Sequence, residues 1–183
     1  MDTQNSIDEE SLKLRRRSSI SKVTNNDYIN ARSKHSLYKA LTGYEERTIN
    51  FADLITRINR KSKMQERALL ISEASLYVLE SGSLKVRKRI PFNKILGISV
   101  SPYADNFLIV HNSIEDLILI SKRKQEIYNV LKASISKAGL SELILTTSDC
   151  FPVKLSSDCE RLVKFEETED GVKIYIYSEI KKS

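Results

Sequence analysis

The sequence predicts a mostly β domain of the α+β class: a small barrel or sandwich of about seven strands, one amphipathic helix, and extra C-terminal strands. Three observations predict it. Short β-branched or aromatic runs recur at spacings of about ten residues. Turn residues separate them, with Pro91, Pro102 and Asn106 as punctuation. One later segment alone carries a clear helical period.

Taken in order, residues 1–36 are poor in large apolar residues and rich in Ser, Asn, Lys and Arg. They read as a flexible arm, acidic and then basic, with a short docked segment at Tyr28-Ile29. The domain is expected over 37–183, with a barrel at 47–121, a helix at 123–138 and C-terminal strands at 141–178. In "TINFADLITRINR" the apolar residues Ile49, Phe51, Leu54, Ile55 and Ile58 have a mixed period that fits a helix or a strand. An extended first strand is favoured. "RALLIS" and "SLYVLES" follow, joined by the turn Glu73-Ala74-Ser75, and then "LKVRKRI", "ILGISVS", "NFLIVHN" and "DLILIS". In "LKVRKRI" alternation puts Leu84, Val86 and Ile90 on one face and Lys85, Arg87 and Arg89 on the other. Lys88 then falls on the inner face, so it must lie near an edge or snorkel out.

The helix is "KRKQEIYNVLKASISKAG". Ile127, Val130, Leu131, Ser134 and Ile135 form one stripe, Lys137 sits in the last turn, and Gly139 supplies the C-cap. Such a helix can plug an open barrel. "ELILTT", "FPVKLS", "RLVKFEE" and "VKIYIYS" are further short strands, the last two joined at Glu169-Asp170-Gly171.

At 183 residues the chain is the size of one domain, and 40% hydrophobic residues can supply a core. No apolar run approaches the roughly 20 residues that span a bilayer. The N-terminus lacks the apolar centre of a secretory signal. Cys150 and Cys159 are too few for a disulfide framework, so a reducing, cytoplasmic setting is the default. The net charge of +6 is unevenly spread: Lys13 to Lys94 holds 19 bases against 7 acids, while residues 95–183 hold 11 against 13. A localised positive face implies an anionic partner.

Catalysis finds little material. His35 lies in the arm and His111 ends a strand, which supports neither a Cys-His nor a Ser-His-Asp arrangement. Neither cysteine has a further ligand at zinc spacing, and the five glycines form no phosphate loop or dinucleotide fingerprint. The acids around 166–170 read as a solvated turn. The expectation is a binding module without catalytic residues, cofactor or metal.

The cations fall in three segments: "KLRRRSSISK", "RINRKSKMQER" and "KVRKR". If the last two are hairpins at one end of a barrel, Arg57, Arg60, Lys61, Lys63, Arg67, Lys85 and Arg87 converge, with Arg15, Arg16 and Arg17 as an auxiliary arm. Each cation near an anionic lipid surface contributes about 1 kcal/mol, so six to eight reach roughly micromolar affinity. A nucleic-acid partner is disfavoured, because the only aromatics between Arg57 and Lys94 are Tyr77 and Phe92, outside the basic runs. A protein scaffold acting through the arm or "EETEDG" is a third reading. Arginines directly before Ser18 and Ser19 make these candidate phosphorylation sites, where added negative charge would weaken attraction to anionic lipid.

"FADLITRINRKSKMQERALLIS", "SLYVLE", "VRKRIPFNKILGISVSPYADNFLIVH" and "DLILISKRKQEIYNVL" resemble the tail homology 1 domain of class I myosins, with "GISVSPYADNFLIVH" the most specific stretch. "RRRSSISKVTNNDYIN" resembles the basic lead-in of that domain. The likeness runs from about Arg15 to Tyr177. It implies a pleckstrin-homology-like barrel that binds anionic phospholipids, phosphoinositides especially, and links actin motors to the cytosolic face of membranes, with actin-cytoskeleton proteins as further partners. In the family's phosphoinositide signature, a base on the first strand and an Arg opening the second grip the headgroup. Arg67 matches the second, and Arg57 or Arg60 the first. Two places before Arg67, where the signature often carries another base, stands Gln65, with Lys61 or Lys63 as replacements. The chain carries no motor signature, and its acidic start at Met1 favours a free-standing relative over an excised tail.

Overall fold

A computed structural model describes residues 26–177. Seven strands follow one another in antiparallel pairs: β1 Ile49–Ile58, β2 Met64–Ser72, β3 Ser75–Glu80, β4 Val86–Pro91, β5 Ile95–Val100, β6 Phe107–Asn112 and β7 Leu117–Ile120. A short β8, Leu145–Thr147, adds in parallel to β5. Together they make one eight-stranded sheet of order β4-β3-β2-β1-β7-β6-β5-β8. Two meanders therefore meet along β1 and β7, where Thr56 faces Ile120 and Ile58 faces Ile118.

The sheet curls, because side chains from far apart in the strand order share one apolar cluster. Ile90 of β4 and Ile98 of β5 meet Phe51, Leu69, Val78 and Leu108 there. The helix Lys124–Lys137 inserts Ile127, Leu131 and Ile135 into the same cluster. Ser134, the polar member of its stripe, is buried but accepts a hydrogen bond from Asn50 Nδ2 at 2.9 Å. Gly139, at φ +72°, ends the helix in the left-handed region that the expected C-cap requires.

Residues 26–36 are not a free arm. Asn26 and Tyr28 exchange backbone hydrogen bonds with Ala52 at 2.8 Å, Ala31 is buried in a 3-10 turn, and helix α1, His35–Thr42, buries Leu37 and Leu41. These side chains cover the outer face of β1–β3, packing on Ala52, Ala68, Leu70, Tyr77 and Leu79. The docking expected at Tyr28-Ile29 thus extends through the whole segment, and the barrel helix Lys124–Lys137 becomes α2. Tyr28 also donates to the Glu126 carboxylate at 2.8 Å, with the Arg123 guanidinium 3.6 Å above its ring.

β4 departs from simple alternation. A register shift opposite Val78/Leu79 places Val86 across from Leu79 and Lys88 across from Val78. Leu84 and Val86 therefore join the outer cluster while Ile90 enters the barrel core. A bulge inserts one extra residue and reverses the parity beyond it. Arg89 consequently lies over the outer cluster, donating through Nε and Nη2 to Glu46 at 3.0 and 2.7 Å. Glu46 is only 2% exposed and also accepts from Ser72 and Ser75.

The strands after β8, namely β9 Cys150–Ser156, β10 Cys159–Thr168 and β11 Gly171–Tyr177, form a separate antiparallel sheet of order β11-β10-β9. Its apolar face, with Phe151, Val153, Leu155, Val163 and Phe165, packs on Ile58, Ile109 and Ile118 of the barrel. Two hydrogen bonds join them: Asp116 N–H donates to Lys154 C=O at 2.6 Å, and Lys154 N–H donates to the Asp116 carboxylate Oδ2 at 2.9 Å.

Candidate basic cleft

The β1–β2 connection carries a dense run of bases and is nevertheless ordered by its own chemistry. Asn59 Oδ1 accepts from the backbone N–H groups of Lys61 and Lys63 at 2.9 and 3.0 Å, and Asn59 N–H donates to Lys63 C=O at 3.0 Å. Ser62 sits at φ 57°, where the chain reverses. An Asx-type turn of this kind fixes the backbone and leaves the cationic side chains it carries uncompensated. Arg161, on β10 of the second sheet, donates from Nη1 to Ser62 Oγ at 3.0 Å. The loop is therefore tied to both sheets.

Beside this loop lies a cleft of about 470 Å³ lined by Arg57, Asn59, Arg60, Lys61, Lys63, Gln65, Glu115 and Leu155. Four of the residues expected from sequence, Arg57, Arg60, Lys61 and Lys63, meet there. Among the described residues Arg60, Lys61 and Lys63 have no carboxylate within ion-pair distance. Arg57 differs, since its Nη2 lies 2.7 Å from Glu115 Oε1. Lys88 Nζ reaches the same oxygen at 2.8 Å. Burial opposes ionisation of Glu115, but Lys88 and Arg57 outweigh it and hold the carboxyl below the usual range. Burial pulls Lys88 below its ordinary value, an effect Glu115 only partly offsets.

The remaining expected residues sit to one side. Arg67 does not line the cleft; it faces Ile55 on β1 and Glu80 on β3. Its guanidinium donates to Glu66 C=O at 2.8 Å and Gln65 Oε1 at 3.2 Å. Arg87 is paired with Glu80, and Lys85 is exposed on the β3–β4 turn. The β3–β4 hairpin thus flanks the cleft without lining it. Arg15, Arg16, Arg17, Ser18 and Ser19 lie outside the described residues.

Sequence reasoning missed Lys88, Glu115, Asn59, Leu155 and Arg161 as parts of this region. Lys88 carried a signal, being a cation on an inward face. Glu115 sits in the β6–β7 turn, and nothing local marks it. The expectation that no Ser-His-Asp arrangement exists also needs correction. His111 lies 2.8 Å from Ser99 Oγ through Nε2 and 3.0 Å from Asp116 Oδ2 through Nδ1. Ser99, however, is 3% exposed between β6 and β8, and Asp116 also binds the backbone N–H groups of Asn112 and Lys154. Asp116, at the end of this line, ties the second sheet to the barrel through Lys154.

Comparison with known proteins places this geometry in a family. Myosin heavy chain IB of Acanthamoeba castellanii is 26% identical over 167 residues, covering 87% of this chain and 15% of that one. Myosin IB heavy chain of Dictyostelium discoideum is 25% identical over 164 residues, covering 86% and 15%. The chain thus spans about 15% of the length of these relatives. Among solved structures, the N-terminal PH domain of human ARAP2 aligns with TM-score 0.41 and 14% identity, covering 52% of this chain and 86% of that domain. The profile described as "Unconventional myosin tail, actin- and lipid-binding" matches residues 15–183, and the chain belongs to that family.

Proposed function

We propose that the domain is a peripheral membrane-binding module that recognises anionic phospholipids, phosphoinositides among them, through the basic cleft. One observation carries this reading: Arg60, Lys61 and Lys63 crowd one ordered turn beside Arg57 with no carboxylate of their own among the described residues. Like charges held together in this way need an anion from outside. No helix among the described residues is long and apolar enough to cross a membrane, so attachment from the cytosolic face through such a surface is the mode proposed.

Arg67 contributes from the flank rather than from the cleft wall, adding field without a free fork. A nucleic-acid partner fits less well, because Tyr77 and Phe92, the aromatics between Arg57 and Lys94, are buried and cannot stack on bases. Sedimentation with vesicles tests the reading. Binding is expected to rise with phosphatidylserine or phosphatidylinositol bisphosphate content and to fall with salt. Equal binding to neutral vesicles would overturn it. A second reading, supported by the family description, is contact with actin filaments. Filament sedimentation of the isolated domain, with and without vesicles, separates the two.

A further inference from the structure

Arg57 on the cleft wall and Lys88 behind it converge on a single carboxylate oxygen, Glu115 Oε1, at 2.7 and 2.8 Å. Their side chains are only 20% and 16% exposed, so both are held largely away from water. Glu115 uses Arg57 poorly. Among the described residues it engages Nη2 alone, and Arg57 Nε is buried without an acceptor. A guanidinium bonded through one nitrogen has half its fork free, and a phosphate, with several oxygens at suitable spacing, is the stronger partner. Glu115 itself lines the cleft rather than lying beneath it.

We propose that Glu115 occupies the anion position of this cleft and acts as an internal competitor that a headgroup phosphate must displace from Arg57 and Lys88. The proposal rests on the membrane-binding reading above. It assigns a residue outside the expected basic set the role of setting affinity. Without ligand, Glu115 is the ion-pair partner of a partly buried Lys88 whose Nζ makes no hydrogen bond among the described residues. When a lipid phosphate enters, it takes over both cations and fills the Nε position, and the carboxylate swings out with the β6–β7 turn. The exchange weakens every ligand of the cleft, and it leaves the inner wall with one uncompensated positive charge instead of two until a phosphate arrives.

The test compares Glu115→Gln with Glu66→Gln, which removes the same charge from an exposed position on β2 outside the cleft. Vesicles containing phosphatidylinositol bisphosphate and free inositol trisphosphate serve as probes. Glu115→Gln is expected to tighten binding to both by about tenfold, as close charge pairs at interfaces do. Glu66→Gln is expected to change vesicle binding by about twofold or less, because an exposed charge is screened. Equal effects of the two variants, or weaker binding by Glu115→Gln, would overturn the proposal. A second measurement covers a Glu115→Gln protein that folds badly: in the wild type, titration with inositol trisphosphate must shift the Ile114, Glu115 and Asp116 amide resonances, and unmoved signals would also overturn it. Failure of the wild type to bind anionic vesicles would instead sink the membrane-binding reading itself.

Discussion

Replacing Arg60, Lys61 and Lys63 together by Gln isolates the part of the surface that has no carboxylate partner among the described residues. All three are exposed, so the substitution leaves the core untouched and stability should move by about 0.5 kcal/mol or less per site. The turn should survive, since Asn59 Oδ1 accepts from the backbone of Lys61 and Lys63, not from their side chains. Each cation near an anionic surface contributes about 1 kcal/mol, so the triple variant should lose about 3 kcal/mol, or roughly 150-fold in vesicle affinity. Arg87 offers the internal contrast. It is already matched to Glu80, exposed and outside the cleft lining, so Arg87→Gln should cost about threefold or less. Sedimentation with phosphatidylserine-rich vesicles over a salt series measures both, and the triple variant should show the shallower salt dependence. If Arg87→Gln cost as much as the triple change, unpaired charge would not be the controlling quantity and the reasoning would fail.

Other outcomes follow from contacts elsewhere. Glu46→Ala strands Arg89 over the outer cluster, so a loss on the order of 3 kcal/mol is expected in urea melts. Burial opposes ionisation of Glu46, but Ser72, Ser75 and Arg89 hold its carboxyl below the ordinary value, and Glu115 is depressed likewise. Because both folded-state values lie below the unfolded ones, their stabilisation is complete above about pH 4.5 and lost as pH falls further; flat stability down to about pH 3 would contradict it. Arg161→Ala removes the tie to Ser62, so amides 59–63 should exchange faster with solvent water while those of β6 stay protected. Phe165→Ala empties a fully buried position in the second sheet and should cost about 3–5 kcal/mol, read as a lower melting temperature.

Much of this architecture was legible because the strands alternate and turn residues separate them. β2 through β7 lie where "RALLIS" through "DLILIS" place them, and α2 buries the stripe its period announces. Beyond the docked segment expected at Tyr28-Ile29, the packing of residues 26–36 escaped notice, although Ala68-Leu69-Leu70-Ile71 is a continuous apolar run. Such a run asks for cover on both faces, and the N-terminal segment supplies the second. The β4 bulge had no comparable mark, since one inserted residue reverses parity without altering composition. At the site, the turn's cations were readable from spacing alone. Their partners were not, because Glu115 reaches Arg57 across 58 positions and Arg161 reaches Ser62 across 99. Arg67 matches a motif position, yet its fork is spent on Glu66 and Gln65, which only the fold reveals.

Nanodiscs carrying spin-labelled anionic headgroups give the most direct view of which surface meets the bilayer. Paramagnetic broadening is expected first at the amides of 59–65 and at Glu115 and Arg161, with α1 and the C-terminal end of α2 unaffected. Broadening centred instead on Leu140–Leu145, with the Asn59–Lys63 turn sharp, would show that the membrane meets another face of the domain.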